Sequence, residues 1–234
     1  MPVEPTVVAG RRAWRKQYAG SQRRWALALL AGIARMLQAP PLRPPPRQAP
    51  EQARALEERR LRTLQAQAVR VPGILDSGPD WLALEDMGPT LATCLHAVSG
   101  DPHATDELAR RAIAAITAAH RGGAYFGQPL PRNLALDDRG VGFLDFEEDP
   151  LEVMTLEQAQ ARDWLLFGYG IARYYDDRPQ ALAALLDEAL TAAPPSVSGS
   201  VREVGGRLQP LARLARYCGR RARSFAHAVD ALRG

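Results

Sequence analysis

Cysteine, histidine, aromatic side chains and long apolar runs are all scarce in this chain of 234 residues. Two cysteines, Cys94 and Cys218, cannot build a disulfide framework and offer no metal-ligand spacing, so a reducing compartment is expected. Four histidines, His96, His103, His120 and His227, are scattered without ligand spacing and read as surface or capping residues. Gly-x-Ser-x-Gly, Walker A, Cys-x-x-Cys and His-Glu-x-x-His motifs are missing, which argues against serine hydrolases, P-loop enzymes and zinc enzymes. The longest uncharged apolar stretch, Trp25 to Ala34, has ten residues. A spanning helix needs about 20. No signal peptide is expected either, because proline and arginine precede that stretch and no small-residue cleavage pattern follows it. On these absences a cytoplasmic protein is expected.

Lysine is rarest of all: of 30 basic side chains, only Lys16 is not arginine. The formal net charge of +4 hides an uneven distribution. Residues 1–70 carry a net +10, residues 71–200 a net −12 and residues 201–234 a net +6. With 46% apolar and 24% charged residues, the chain suits a globular domain with a sizeable core and excludes disorder or a collagen-like repeat.

Read in order, Val7–Val8, the turn Ala9–Gly10 and Ala13–Tyr18 predict a hairpin. An amphipathic helix is expected over Ser21–Gln38, packed on its own domain or lying on an anionic membrane surface. Prolines at 40, 41, 44, 45, 46 and 50 make Ala39–Pro50 an extended linker without a helix. A helix over Glu51–Ala68 follows, closed by Val71–Pro72, then strands at Ile74–Leu75 and Trp81–Leu84 around the turn 76–80. Helices are expected at Leu91–Ala97 and Ala104–His120, and a second hairpin at Leu134–Leu136 and Gly142–Leu144. The remainder reads as helices at Leu156–Tyr175, Pro179–Thr191 and Leu208–Leu232, with a Pro/Ser/Gly loop over 194–200. Strands plus one helix, followed by a mostly helical region, imply an α+β fold with two lobes.

The chemistry concentrates in Phe126-Gly127-Gln128-Pro129-Leu130-Pro131-Arg132-Asn133 and, twelve residues beyond Asn133, Asp145-Phe146-Glu147. A loop Asn and an Asp at the end of a hairpin strand suit Mg²⁺, which takes one or two protein oxygens together with phosphates and water. Taken alone, the same residue types more often serve as turn and cap residues.

In layout and motifs the chain resembles the protein-kinase-like superfamily, in particular the small bacterial lipopolysaccharide-core (heptose and Kdo) kinases and, more distantly, RIO-type kinases. That superfamily reads His-Gly-Asp-x-x-x-x-Asn in its catalytic loop and Asp-Phe-Gly or Asp-Phe-Glu at its metal motif. Gly127 and Asn133 fall in register with the first, and Asp145-Phe146-Glu147 with the second. Residues 57–64 ahead of Val71-Pro72 resemble the αC helix, with Glu57, or else Glu58, as its ion-pair glutamate. Trp81 to Gly88 resembles the strand and hinge that offer backbone groups to adenine, around Glu85 and Met87. Asp163 matches the aspartate that braces the catalytic loop, and Lys16 the lysine that reaches the phosphates. The resemblance covers residues 7–190 and implies a bilobal fold. Residues 1–87 would form a reduced N-lobe, and residues 88–234 a helical C-lobe carrying the catalytic loop.

It further implies ATP and Mg²⁺ as cofactors, with Asn133 and Asp145 on the metal and Gln128 orienting the acceptor. The acceptor class is a small molecule or an envelope glycolipid, and the basic ends suggest contact with an anionic membrane surface, peripheral to the inner membrane. Nucleic acid is not an expected partner, because few aromatics accompany the arginines of the last helix. Three features depart from the superfamily pattern. Gln128 stands where the catalytic aspartate belongs and Phe126 where its histidine belongs, the glycine-rich loop is truncated, and residues 17–56 hold an insertion. An amide orients a nucleophile but accepts no proton, so a regulatory pseudokinase is the alternative reading.

Overall fold

The computed structural model describes residues 2–18, 39–46 and 48–234. The expected helix at Ser21–Gln38 lies outside the described residues. The chain is α+β, with seven α-helices and two small antiparallel sheets among the described residues.

Strands β1 (Val3–Val8) and β2 (Arg11–Gln17) form the first hairpin. Its two-residue turn places Ala9 at φ +48° and Gly10 at φ +77°, the doubly left-handed geometry that matches strand twist in tight hairpins. Helix α1 (Pro50–Ala66) starts on a proline, whose missing N–H costs nothing in a first turn. Strands β3 (Ile74–Ser77) and β4 (Trp81–Glu85) complete a four-stranded sheet in the order β1-β2-β4-β3. The proline-rich linker is not wholly extended: Pro40–Leu42 makes one 3-10 turn, and Pro50 already belongs to α1.

Helices α2 (Leu91–Ala97) and α3 (Pro102–Arg121) follow, N-capped by the side chains of Thr90 and Asp101. The hairpin β5 (Leu134–Asp137) and β6 (Gly140–Phe143) is tied back to the segment after α1. Arg70 bonds Asp137 at 2.6 Å and Gly140 O at 2.7 Å, and its own carbonyl accepts from Phe143 N. Helix α4 (Leu156–Ala172) opens on a Thr155/Gln158 capping box and is the central rod of the helical half. Trp164, Phe167 and Ile171 bury almost completely, and α5 (Pro179–Thr191), α6 (Pro195–Ala215) and α7 (Gly219–Arg233) pack around them. One core runs from Leu61, Leu64 and Leu82 under the sheet to Val201 and Leu232 in the last helices.

Two expectations fail in this half. Residues 195–200 are the first turns of α6 rather than a loop, because Pro195 sits in the first turn and Val197, Val201, Val204 and Leu208 make a buried helical stripe. The single helix expected over Leu208–Leu232 is two, broken at 216–218 where Gly219 takes φ +50°. No helix among the described residues is long and apolar enough to cross a membrane.

Candidate functional site

Lys16 and Tyr18 share one face at the end of β2, as alternation along an extended chain requires, and both reach Glu57 on α1. Glu57 belongs to the buried stripe Leu56, Glu57, Arg60, Leu61 and Leu64, so its carboxylate enters the interior, fully buried. Glu58, one position round the helix, instead takes hydrogen bonds from Arg54 and Arg62 near the surface. Of the two candidates, Glu57 alone meets Lys16.

The Lys16 ammonium lies 2.7 Å from Glu57 Oε2, 2.7 Å from Asp145 Oδ1 and 2.8 Å from Glu147 Oε1. Glu57 also accepts from Tyr18 Oη–H at 2.7 Å and from Phe146 N at 3.3 Å, so both carboxylate oxygens are satisfied. Burial alone would lower the Lys16 pKa, but Glu57, Asp145 and Glu147 outweigh it and hold the value well above the ordinary 10.5. Burial pushes Asp145 the other way, toward protonation, yet Lys16 keeps it below the usual carboxylate range. Glu147 is the member left short of positive charge. Burial raises its pKa to about 7, with Asp145 adding to the rise and Lys16 only partly opposing it. Burial and the Glu57 charge also raise the Tyr18 phenol, so it stays a hydrogen-bond donor.

Asp145 holds a left-handed backbone at φ +71°, a conformation aspartate tolerates better than most residues and one that turns the chain abruptly after the hairpin. Its other oxygen lies 3.5 Å from Asn133 Nδ2, which also donates to Gln128 O at 3.0 Å. Asn133 itself ends the 3-10 turn Pro131–Asn133 and is buried. It is the amide nitrogen of Asn133 that faces Asp145 and the Gln128 carbonyl.

The loop carrying Gln128 is braced from behind by α4. Asp163, fully buried, accepts from Phe126 N at 2.8 Å and from Gly127 N at 2.6 Å, and its Oδ2 lies 3.0 Å from His120 Nε2. His120 is therefore an interior partner of Asp163 rather than the surface or capping residue expected of it. Arg162 donates to Gly127 O at 3.0 Å and to the carbonyls of Pro41 and Arg43, tying the proline linker to the same loop. Gly127 has φ +90°, and a Cβ there would come 3.0 Å from Pro150 Cγ, so both backbone and space require glycine.

Gln128 donates from Nε2 to Glu148 Oε2 at 3.1 Å. Together with Phe126, Gly127, Asp145, Glu147 and Glu148 it lines a recess of about 40 Å³. On the other flank of the loop lies a cavity of about 900 Å³, whose walls include Leu130, Pro131, Arg132, Tyr169, Arg173 and Arg221. The structure thus brings Lys16, Glu57, Gln128, Asn133 and Asp145 into one neighbourhood. Glu85 and Met87 make their contacts elsewhere. Glu85 pairs with Arg11 at 2.6 Å and bonds Gly73 O through its amide, while Met87 is buried with its thioether against Gly142.

Glu57, Asp145 and Glu147 bring carboxylate oxygens within 4.8 Å of one another, a hard-oxygen donor set of the kind divalent cations choose. At present the Lys16 ammonium sits among them, one positive charge facing three carboxylates. Tyr18 and Arg162 were not singled out from the sequence, although each is next or nearly next to a residue that was. No protein-family model matches this chain and no curated protein matches it, so the geometry of the site carries the functional argument.

Proposed function

We propose that the chain is an ATP- and Mg²⁺-dependent phosphotransferase of protein-kinase-like architecture, with the sheet and α1 as a reduced N-lobe and the helices as the C-lobe. The observation that carries this reading is the contact of buried Lys16 with both buried Glu57 and half-buried Asp145, three residues drawn from a strand, a helix and a hairpin end. An ammonium held by a helix glutamate beside a metal-binding aspartate is the arrangement that phosphoryl transfer by kinases requires. The carboxylate excess around Lys16 supports a second cation, and the clustered carboxylate oxygens of Asp145, Glu147 and Glu57 suit Mg²⁺.

In this reading Asp145 and Asn133 would hold the metal, Lys16 would hold the phosphates, and the backbone of Glu85 to Met87 would face the base. Magnesium supplies neutralisation of phosphate charge when bound. The chain's own residues supply positioning. Asp163 and Arg162 fix the loop, Glu57 fixes the ammonium, and Gln128 orients an acceptor hydroxyl by hydrogen bonding. Glu148, which already holds the Gln128 amide, is a carboxylate within reach of the same place. The recess lined by Gln128, Asp145, Glu147 and Glu148 is where the hydroxyl of a small-molecule or glycolipid acceptor would meet the phosphates.

A second reading, a pseudokinase that binds nucleotide without turnover, is favoured by one observation: an amide at Gln128 accepts no proton, and general-base loss costs about 10²–10⁴ in rate. The two readings separate by experiment. ATP consumption in the presence of Mg²⁺ and purified envelope glycolipids or sugars supports the transferase. Turnover by Gln128→Asp where the parent protein has none supports the pseudokinase. Absence of any nucleotide binding by the parent overturns both.

A further inference from the structure

Between Glu203 and Asp230 the chain runs 26 residues with six arginines and no acidic side chain. This stretch is the corner where α6 ends and α7 begins. Its inner face is ordinary core, with Leu208, Ala212, Ser224 and Ala226 buried. Its outer face is not ordinary surface. Leu211 is 40% exposed, Leu214 65% and Tyr217 90%. Leu211 and Leu214 lie on the last turns of α6 and Tyr217 in the turn that follows it.

Single exposed apolar residues need no explanation, but three close together in a stretch rich in arginine do. Arg216 and Arg220 are tied to Asp230 and Asp176 at 2.6 and 2.8 Å. Arg213, Arg221 and Arg223 are exposed and form no ion pair among the described residues. Aliphatic side chains, a tyrosine and unpaired guanidinium groups gathered at one corner of the fold are the complement of a lipid interface. Leucines enter the acyl boundary, the phenol stays at headgroup depth, and arginines meet anionic headgroups.

We propose that this corner docks the protein on an anionic bilayer, with Leu211, Leu214 and Tyr217 inserted and Arg213, Arg221 and Arg223 on the headgroups. Duplex nucleic acid would satisfy the arginines but offers nothing to Leu211 and Leu214. A second copy of the chain would cover the leucines only by bringing two positive faces together. Arg221 also lines the cavity of about 900 Å³, so the docking surface and that cavity adjoin. The inference does not depend on the phosphotransferase reading.

Sedimentation of the full chain with vesicles tests it, using phosphatidylcholine alone and phosphatidylcholine mixed with phosphatidylglycerol. The expected result is salt-sensitive binding to the mixed vesicles only. Leu214→Ser with Tyr217→Ser should weaken it about tenfold or more, and each arginine-to-glutamine change by about fivefold. These residues are exposed, so the variants should melt like the parent by circular dichroism. Failure of the parent to bind anionic vesicles overturns the proposal. So does binding that survives loss of Leu214 and Tyr217, tighter binding to a DNA or RNA duplex than to vesicles, or a dimer in solution that the Leu214/Tyr217 variant dissociates.

Discussion

Lys16 is 7% exposed and has three carboxylate oxygens within 2.8 Å, whereas Arg213, Arg221 and Arg223 stand in solvent with no ion pair among the described residues. Both regions are basic, yet they are built on opposite terms. At Lys16 the fold removes a charge from water and must surround it with Glu57, Asp145 and Glu147 to keep it ionised. At the α6–α7 corner it leaves the charge hydrated and unpartnered. A buried charge with this many partners is tolerated because its position matters, and burial makes the position exact to the scale of a hydrogen bond. An exposed charge fixes no geometry and acts through the field it adds to its surface. In the proposed readings the first region does chemistry and the second attaches the protein to a surface.

Breaking the first region should cost most. Lys16→Met leaves Glu57 buried with only neutral donors, and stability should fall by about 3–5 kcal/mol, the usual cost of unpairing a buried charge. Urea unfolding measures it, and adding Glu57→Gln should return much of the loss. A Lys16→Met protein as stable as the parent would show that the cluster is not the buried ion pair described here.

Next comes the brace behind the loop. Asp163→Ala strands the amides of Phe126 and Gly127, and a loss of about 2–4 kcal/mol is expected for two buried donors left without an acceptor. Hydrogen exchange should show those two amides opening faster while the α7 amides keep their protection. Unchanged exchange at Phe126 and Gly127 would contradict the brace.

Glu147 offers a smaller and pH-dependent contrast. Its folded-state value of about 7 lies above the ordinary 4.5, so the folded protein holds that proton more tightly than the unfolded chain does. Its ionisation therefore weakens folding progressively as pH rises from about 4.5 to about 7, and the full penalty remains above that window. Glu147→Gln removes the penalty, so the variant should gain on the parent in melting temperature across that range and keep the gain at higher pH. A constant difference from pH 4 to 8, values chosen to bracket the window, would contradict the assignment.

The smallest effect belongs to the corner. Arg213→Gln, Arg221→Gln and Arg223→Gln should each change stability by less than about 0.5 kcal/mol, as surface substitutions do. A larger loss would mean these guanidinium groups hold the fold together and would erase the contrast.

Much of this was legible in the sequence because it was local. A lone lysine among arginines, an Asp-Phe-Glu after a hairpin, and a glutamate ahead of a valine-proline stop are all readable within a few residues. The hairpins and most helices follow from periodicity and turn residues in the same way. What stayed hidden depends on distant segments. Asp145 and Glu147 reach Lys16 across about 130 positions, and nothing in their neighbourhood marks an ammonium as their partner. His120 looked like a helix-end residue because its partner Asp163 lies in another helix. The start of α6 was misread for a physical reason. Pro194-Pro195 with Ser and Gly suggests a loop, but proline is compatible with a first helical turn, and the valine stripe beyond it decides the outcome. Glu85 and Met87 show the converse: their segment resembles a hinge, while their side chains serve packing and an ion pair.

The most direct test is calorimetric titration of the full chain with ATP, with and without Mg²⁺, repeated with Asp145→Asn. The account predicts Mg²⁺-dependent binding by the parent. Affinity should fall about tenfold or more when Asp145 loses its charge, the scale of one charge-assisted ligand. No binding by the parent, or equal binding by the Asp145→Asn protein, would contradict the assignment of Lys16, Glu57 and Asp145 to a nucleotide site.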